Sequence, residues 1–266
     1  MKVFLLCLLP LSLFASVMHA NKILCLHGGG GSGASFQYQT GIQDLIQALP
    51  DWDFVFATSP VPGGVWYDDP PGGGKEPTND PNWANTAINY LDNLIQSEGP
   101  FDAILGYSQG VPMSLVYIAT GSYNFDKVLL FNGYLPTTHN GLMSVINAYS
   151  LYDEDTLIFV AENDYNFYQI GLELKTKFSN YTELVSATAE HALPTTSDSQ
   201  FQAVVDFLSS SDSSNGGGDG GNDSSQSFRL NIYQGSGLSE MNLIDSRLIQ
   251  APTNDQFFKA EIIASE

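Results

Sequence analysis

The chain has 266 residues, enough for one α/β domain of roughly 200–250 residues and a small appendage. It carries 29 Asp and Glu against 9 Lys and Arg, which gives a formal charge of −20. Nucleic acids and anionic membrane surfaces are bound mainly through Lys and Arg, so this balance argues against both as partners.

Residues 1–20, MKVFLLCLLPLSLFASVMHA, place one Lys before an apolar run and end on Ala20. The run is too short for a comfortable membrane span, which favours a secretory signal peptide over a retained anchor. We therefore expect a secreted or endomembrane-lumen protein with no membrane span in its mature chain. The sequons at Asn180 and Asn222 would then be glycosylation candidates.

Short apolar runs follow one another along the chain and predict strands buried on both faces of a parallel sheet. They are KILCL (22–26), DFVFAT (53–58), FDAILGY (101–107), KVLLFNG (127–133), TLIFVAE (156–162) and the weaker TELVSA (182–187). Helical periodicity appears between and after them, in residues 82–99, 112–120, 166–178 and 197–208. This alternation predicts a three-layer α/β sandwich with a mostly parallel central sheet.

Two stretches fall outside this alternation. Residues 59–82 form a long Pro/Gly-rich loop, and Trp66 and Tyr67 in its middle favour a lid or a pocket wall. Residues 209–227 read as a Ser/Gly-rich linker between the main domain, 21–208, and a C-terminal tail, 228–266. In the tail FRLNI alternates like a strand, whereas LSEMNLIDSRLI has loose helical spacing; its role stays open.

The segment GYSQG, residues 106–110, has the pattern G-x-S-x-G. An apolar strand runs into it and a helix of small and apolar residues leaves it, which is the context of a nucleophile elbow. The glycines suit a turn too sharp for neighbouring side chains. The pattern therefore predicts that Ser108 is a nucleophile exposed above the sheet.

A serine nucleophile needs a base, which in the order Ser, acid, His follows the last strand. His191 fits this position. His139 does not fit, because it comes before the strand that carries the candidate acid. The orienting acid should end the preceding strand, and there Asp164 is favoured over Glu162. Such an acid fixes the histidine tautomer and stabilises the imidazolium that forms.

The stretch HGGGGSG, residues 27–33, follows the first strand and also matches G-x-G-x-x-G. A dinucleotide site would need an acid at the end of the second strand, and a P-loop would need Gly-Lys-Ser/Thr; neither is present. An oxyanion loop fits better. Gln109 would give one backbone N–H, and Gly29 or Gly30 the other.

These blocks resemble the small α/β-hydrolases of the "family of serine hydrolases" type, which include a fungal group and the human ovarian-cancer-associated serine hydrolase. The resemblance spans about residues 22–208 and is carried by KILCLHGGGGSGASF, GPFDAILGYSQG, IFVAEND and HALP. It implies an α/β-hydrolase fold and the hydrolysis of carboxylic esters or thioesters by Ser108, Asp164 and His191. The four consecutive glycines, the N-terminal segment, the linker and the tail depart from the family pattern.

Oxygen-ester cleavage is the leading hypothesis, with a thioesterase or a non-catalytic binding module of hydrolase ancestry as alternatives. No metal and no cofactor is implied, and the partner is a small acyl ester. The substrate pocket should be apolar, with Phe36, Trp66 and Tyr67 as wall candidates. Acyl chain length and oligomeric state are left open by the sequence.

Overall fold

The computed structural model describes residues 21–72, 74, 76–148 and 151–210, together with the backbone of residues 227–234 and 242–250. The predicted signal peptide, Asn222, nearly all of the linker and most of the tail lie outside the described residues.

Six strands form a fully parallel central sheet, and each coincides with one predicted apolar run. Their bounds are β1 Asn21–Leu26, β2 Trp52–Ala57, β3 Ala103–Tyr107, β4 Lys127–Phe131, β5 Asp155–Ala161 and β6 Tyr181–Ser186. The strand order is β2-β1-β3-β4-β5-β6, so β3 lies between β1 and β4 near the middle. All six strands run in one direction, and their carboxyl ends therefore meet at one edge.

Within the described residues, seven α-helices connect or follow these strands. They are α1 Gly33–Gln37, α2 Thr40–Ala48, α3 Asn85–Glu98, α4 Gly110–Thr120, α5 Asn140–Ile146, α6 Tyr168–Gly171 and α7 Phe201–Ser209. Helices α3, α4 and α7 match the predicted periodic segments, while α1, α2 and α5 were not predicted. The predicted helix over 166–178 is instead the short α6 followed by a 3₁₀ helix, Leu172–Lys177. Gly171, a poor helix former, lies where the two meet.

Side chains that alternate along each strand enter two separate apolar clusters, one on each face of the sheet. In β1, Leu24 joins the cluster that contains residues of α3, α4 and α5, while Cys25 joins the cluster that contains residues of α1, α2 and α7. A strand covered on both faces must be apolar at every position, which explains the continuous apolar runs. The predicted three-layer α/β sandwich is confirmed.

The C-terminal tail contains two further strands, β7 Ser227–Gln234 and β8 Asn242–Gln250, which pair as an antiparallel hairpin. The strand predicted from FRLNI is confirmed. The helical spacing assigned to LSEMNLIDSRLI was wrong, because most of that segment is β8. Over so few residues a loose helical pattern is weak, and the backbone pairing with β7 decides the conformation.

Candidate active site

Ser108 lies in a sharp turn between β3 and α4 and has a φ of +52°, a left-handed conformation that is rare for a residue with a side chain. The turn depends on close backbone approach. A Cβ at Gly110 would lie 2.2 Å from the carbonyl oxygen of Leu26, and a Cβ at Gly106 would lie 2.6 Å from the carbonyl oxygen of Gly110. Both outer glycines of G-x-S-x-G are therefore required for packing.

The structure brings Ser108, His191 and Asp164 together at the carboxyl edge of the sheet. His191 Nε2 lies 2.9 Å from Ser108 Oγ, and His191 Nδ1 lies 2.6 Å from Asp164 Oδ2. Asp164 is buried after β5, whereas Glu162 is exposed and does not share this contact. With Nδ1–H donating to the carboxylate, Nε2 is left to accept the serine proton, the arrangement that general-base activation needs.

Three side chains that the sequence reasoning missed hold His191 in place. The Tyr107 hydroxyl donates to the His191 carbonyl oxygen at 2.6 Å, and Phe167 stacks on the imidazole with ring centroids 4.4 Å apart. Asn132 Nδ2 donates to the Ala192 carbonyl oxygen at 2.7 Å and lies 3.4 Å from the Glu190 carbonyl oxygen. The backbone on both sides of the imidazole is thus anchored to the end of β4.

Asn132 is buried and has a φ of +47°, a region that Asn tolerates better than other residues with side chains. The sequence carries a signal for this, since Asn-Gly directly follows the apolar run of β4. Tyr107 is a fixed donor, because burial and the nearby Asp164 carboxylate raise its pKa to about 12.

The loop that carries His191 has a second anchor in Asp198. Its carboxylate accepts hydrogen bonds from the Ser186 hydroxyl, from Thr188 Oγ1 at 2.8 Å and from the Gln200 N–H at 2.8 Å. Burial alone would raise the pKa of Asp198, but these hydrogen bonds lower it below its ordinary value. The loop is therefore tied to the end of β6 and to the start of α7.

In the glycine loop the structure separates Gly29 from Gly30. The Gly30 N–H donates to the Gly64 carbonyl oxygen at 2.9 Å, so it is already engaged. Gly29 borders the cavity at Ser108 together with Gln109. A Cβ at Gly28 would lie 3.0 Å from the Cβ of Ser108, which shows how closely this loop approaches the turn. Because the Gly30 N–H is engaged and Gly29 borders the cavity, Gly29 is the better candidate for the second oxyanion donor.

The long loop 59–82 is hydrogen-bonded to this machinery. The Gln109 side chain accepts from the Trp66 N–H at 2.9 Å and donates to the Tyr67 carbonyl oxygen at 3.0 Å. The Trp66 indole donates to the His27 carbonyl oxygen, and the Ser59 N–H donates to His27 Nε2 at 3.1 Å. His27 is therefore a buried structural link, and burial lowers its pKa.

His139 holds the far side of the same loop. Its Nε2 donates to the Asp68 carbonyl oxygen at 3.0 Å, and its ring meets the Tyr67 ring edge-on with centroids 4.8 Å apart. The Trp83 indole also donates to the Asp68 carbonyl oxygen. The loop is thus a fixed wall at Asp68, and His139 does not lie in the Ser108–His191 contact.

A cavity of about 360 Å³ opens beside Ser108. Its lining combines glycine-loop, elbow and aromatic residues with two carboxylates: Gly29, Val65, Tyr67, Asp68, Asp69, Ser108, Gln109, Tyr134 and Phe167. The wall is therefore more polar and more acidic than the apolar pocket that was expected.

Of the three predicted wall residues, only Tyr67 lies on the cavity. Trp66 is fully buried, and its indole N–H donates to the His27 carbonyl oxygen at 2.8 Å. Phe36 is also buried and stacks on Tyr107 with ring centroids 5.4 Å apart, which supports the elbow from below.

Among the described residues, no group of three His, Cys, Asp or Glu side chains is arranged to hold a metal ion. Nor does any helix in this part of the chain have the length and apolar character needed to cross a membrane. Asn180 is exposed immediately before β6, as a glycosylation candidate must be.

Solved structures share this architecture. The chain aligns with the esterase PE8 at a TM-score of 0.53 and 18% identity, over 71% of this chain and 92% of that one. A carboxylesterase from Mesorhizobium loti aligns with a TM-score of 0.54 and 14% identity, over 72% of this chain and 89% of that one. At these identities the likeness shows the fold, and it confirms the predicted α/β-hydrolase architecture.

Among curated relatives, "Esterase alnB" of Emericella nidulans is 35% identical over 106 residues, which cover 36% of this chain and 36% of that protein. "Hydrolase FUB4" of Gibberella moniliformis is 27% identical over 147 residues, covering 46% of this chain and 51% of that one. The matches thus span about half of these relatives or less. The family model described as "Serine hydrolase (FSH1)" matches residues 64–203, more than half of the chain. Together with the fold and the elbow at Ser108, this match shows that the chain belongs to the FSH1 serine hydrolase family.

Proposed function

We propose that this protein hydrolyses carboxylic esters through Ser108, His191 and Asp164. One observation carries the proposal: the continuous hydrogen-bonded chain from Ser108 Oγ to His191 Nε2 at 2.9 Å, and from His191 Nδ1 to Asp164 Oδ2 at 2.6 Å. The strained φ of Ser108 and the adjoining cavity support it.

In the proposed reaction Ser108 Oγ attacks the ester carbonyl carbon while His191 Nε2 takes the hydroxyl proton. The N–H groups of Gly29 and Gln109 would stabilise the oxyanion of the tetrahedral intermediate. His191 then gives its proton to the leaving alcohol as the carbon–oxygen bond breaks, and an acyl-enzyme remains. Water, activated by the same imidazole, attacks this acyl group and releases the acid and the free serine.

Three residues would contribute without reacting. Loss of one oxyanion donor typically costs about 3–4 kcal/mol of transition-state stabilisation, so Gly29 and Gln109 carry a large share of the proposed rate enhancement. Asp164 would orient the imidazole and stabilise its charged form. Its short contact to Nδ1 and its burial fit this role.

Active-site labelling tests the assignment. A fluorophosphonate should label the wild type at Ser108 and should not label Ser108→Ala. Ser97→Ala, which changes an exposed serine on α3, is the matched control and should label normally. Equal labelling of the wild type and Ser108→Ala would refute the assignment.

The same protein should then be given an oxygen ester and a thioester with the same acyl chain. Faster turnover of the oxygen ester is expected, and a thioester preference would move the substrate class to acyl thioesters. Labelling without turnover of either substrate, but with ligand binding, would support the binding-module alternative.

We further propose that residues 21–208 are the hydrolase domain, that 209–227 link it to the tail, and that residues 1–20 direct secretion. Expression of the full chain in a eukaryotic secretory host tests this. The medium should contain protein that begins at Asn21 and that loses mass on treatment with an N-glycosidase. Variants with Gln at position 180 or 222 identify which sequon is used.

A further inference from the structure

We propose that the cavity beside Ser108 selects esters that carry an ammonium group over esters of the same size that carry a carboxylate. The proposal rests on the esterase function proposed above and adds the charge of the substrate to it. A buried phenol without a hydrogen-bond partner, two exposed carboxylates and two aromatic rings on the cavity wall support it.

Tyr67 provides the polar anchor. Its side chain is 3% exposed and lines the cavity, yet its hydroxyl makes no hydrogen bond to any described residue. The Tyr134 phenol is near enough to raise the pKa of Tyr67, after the larger effect of burial, although no hydrogen bond of ordinary geometry joins the two. A buried hydroxyl left unpaired is costly, and a ligand that pairs with it recovers that cost.

Asp68 and Asp69 set the sign of the charge. Both line the cavity and both are exposed, and in the described part of the chain neither carboxylate has a lysine partner. The lysines whose side chains the structure describes contact other groups: Lys22 contacts Asp53, Lys127 contacts Asp155, Lys175 contacts Glu183 and Lys177 contacts Asn147. The formal charge of −20 adds a long-range field of the same sign.

Tyr134 and Phe167 complete the wall with ring centroids 5.5 Å apart, and Phe167 in turn stacks on His191. Aromatic faces attract ammonium groups through their quadrupole and repel anions. An ammonium group in this cavity could donate to the Tyr67 oxygen and lie between carboxylates and rings. A carboxylate in the same place would face two like charges.

Three p-nitrophenyl esters test this, with acyl chains of equal length that end in an ammonium, a methyl or a carboxylate group. Three fluorophosphonates with the same tails give a second ranking, read as the labelling rate of Ser108. We expect kcat/KM to fall in the order ammonium, methyl, carboxylate, with at least a tenfold ratio between the first and the last. In both series the differences between the three compounds should become smaller as ionic strength rises.

The ratio of kcat/KM between the ammonium and carboxylate esters is the readout for variants, because it is insensitive to the amount of folded enzyme. Asp68→Asn and Asp69→Asn should each lower it about two- to fivefold, as expected for exposed charges. Asp51→Asn makes the same charge change at the opposite edge of the sheet, before β2, and should leave the ratio unchanged. Tyr67→Phe should slow the ammonium ester more than the methyl ester.

The outcomes separate the two proposals. If Ser108 is labelled and the methyl ester is cleaved, but the wild-type ratio is one or less, the charge selection is wrong and the esterase function stands. A ratio that survives the double change of Asp68 and Asp69 to Asn also overturns the selection. If no phosphonate labels Ser108, the proposed esterase function itself fails, and the selection fails with it.

Discussion

Asn132 offers a test of whether the support around His191 matters for rate and not only for stability. Its amide holds the Ala192 carbonyl at 2.7 Å, next to the imidazole, and its backbone is left-handed. Asn132→Gly removes the hydrogen bond and keeps the backbone conformation accessible. Asn132→Ala removes the same bond and keeps a Cβ in the left-handed conformation, which Ala tolerates less well than Asn or Gly.

The magnitudes follow from these two contributions. A part-buried hydrogen bond of this kind contributes about 0.5–1.5 kcal/mol, and the left-handed conformation costs Ala about 1–2 kcal/mol relative to Gly. Asn132 Oδ1 is itself buried without a partner, so its removal returns part of this cost. We expect the free energy of unfolding to fall by about 1–2 kcal/mol in Asn132→Gly and by about 1 kcal/mol more in Asn132→Ala.

Both Asn132 variants should also lose kcat, by more than the loss of folded protein explains. A displacement of about 1 Å at a reacting group can cost 10²-fold, so kcat on a neutral ester should drop roughly 10- to 100-fold in both variants, with a smaller change in KM. Urea unfolding and steady-state kinetics on the same preparations measure the two effects. Asn93→Ala, on the exposed face of α3, is the control for loss of an amide. If both Asn132 variants lose stability but keep kcat within twofold, the residue is only structural and the reasoning about His191 is wrong.

Three further measurements probe the site and its frame. Asp164→Asn should lower kcat by about 10⁴-fold through loss of the correct imidazole tautomer, whereas Glu162→Gln should change it by less than threefold; comparable losses would reassign the acid. Gly110→Ala should prevent folding, because its Cβ would lie 2.2 Å from a carbonyl oxygen. Gly30→Ala has open space around its Cβ and should lower the free energy of unfolding by only about 1 kcal/mol. Thermal unfolding of the two variants compares these effects. Burial lowers the pKa of His27 in the folded protein, so the stability that neutral His27 contributes is present above the unfolded pKa of about 6.5 and is lost as pH falls below that value. In urea unfolding, His27→Gln should lack this part of the pH dependence of stability. Parallel curves of stability against pH for the two proteins would contradict the assignment.

The sheet and the elbow could be predicted because their signals are local. A strand buried on both faces must be apolar along its length, and a sharp strand–helix turn needs glycines on both sides of Ser108. The chain order of serine, acid and histidine then limited the candidates, and the structure brings those same three residues into contact.

Other features depend on contacts that no local pattern records. The sequence does not distinguish Gly29 from Gly30; only the hydrogen bond from the Gly30 N–H to the Gly64 carbonyl oxygen does so. Trp66 belongs to the long loop 59–82, yet its indole N–H donates to the His27 carbonyl oxygen and its ring is buried. The Asn-Gly pair at Asn132 predicts a left-handed turn, but the hydrogen bond of its side chain goes to Ala192, 60 positions away, which no local pattern predicts. For β8 the loose spacing of apolar residues gave the wrong period.

The two hydrogen bonds from the Gln109 side chain to the long loop have a consequence for how this site can be altered. The Gln109 side chain fixes the backbone of Trp66 and Tyr67, so the proposed oxyanion donor and the cavity wall at Tyr67 are directly connected. Replacements in residues 64–69 that reshape the cavity for a new ester will therefore shift that donor and alter kcat together with KM. Tyr134 lines the cavity outside residues 64–69, whereas Phe167 stacks on His191, so variation of Tyr134 is the better route to a new specificity at the original rate.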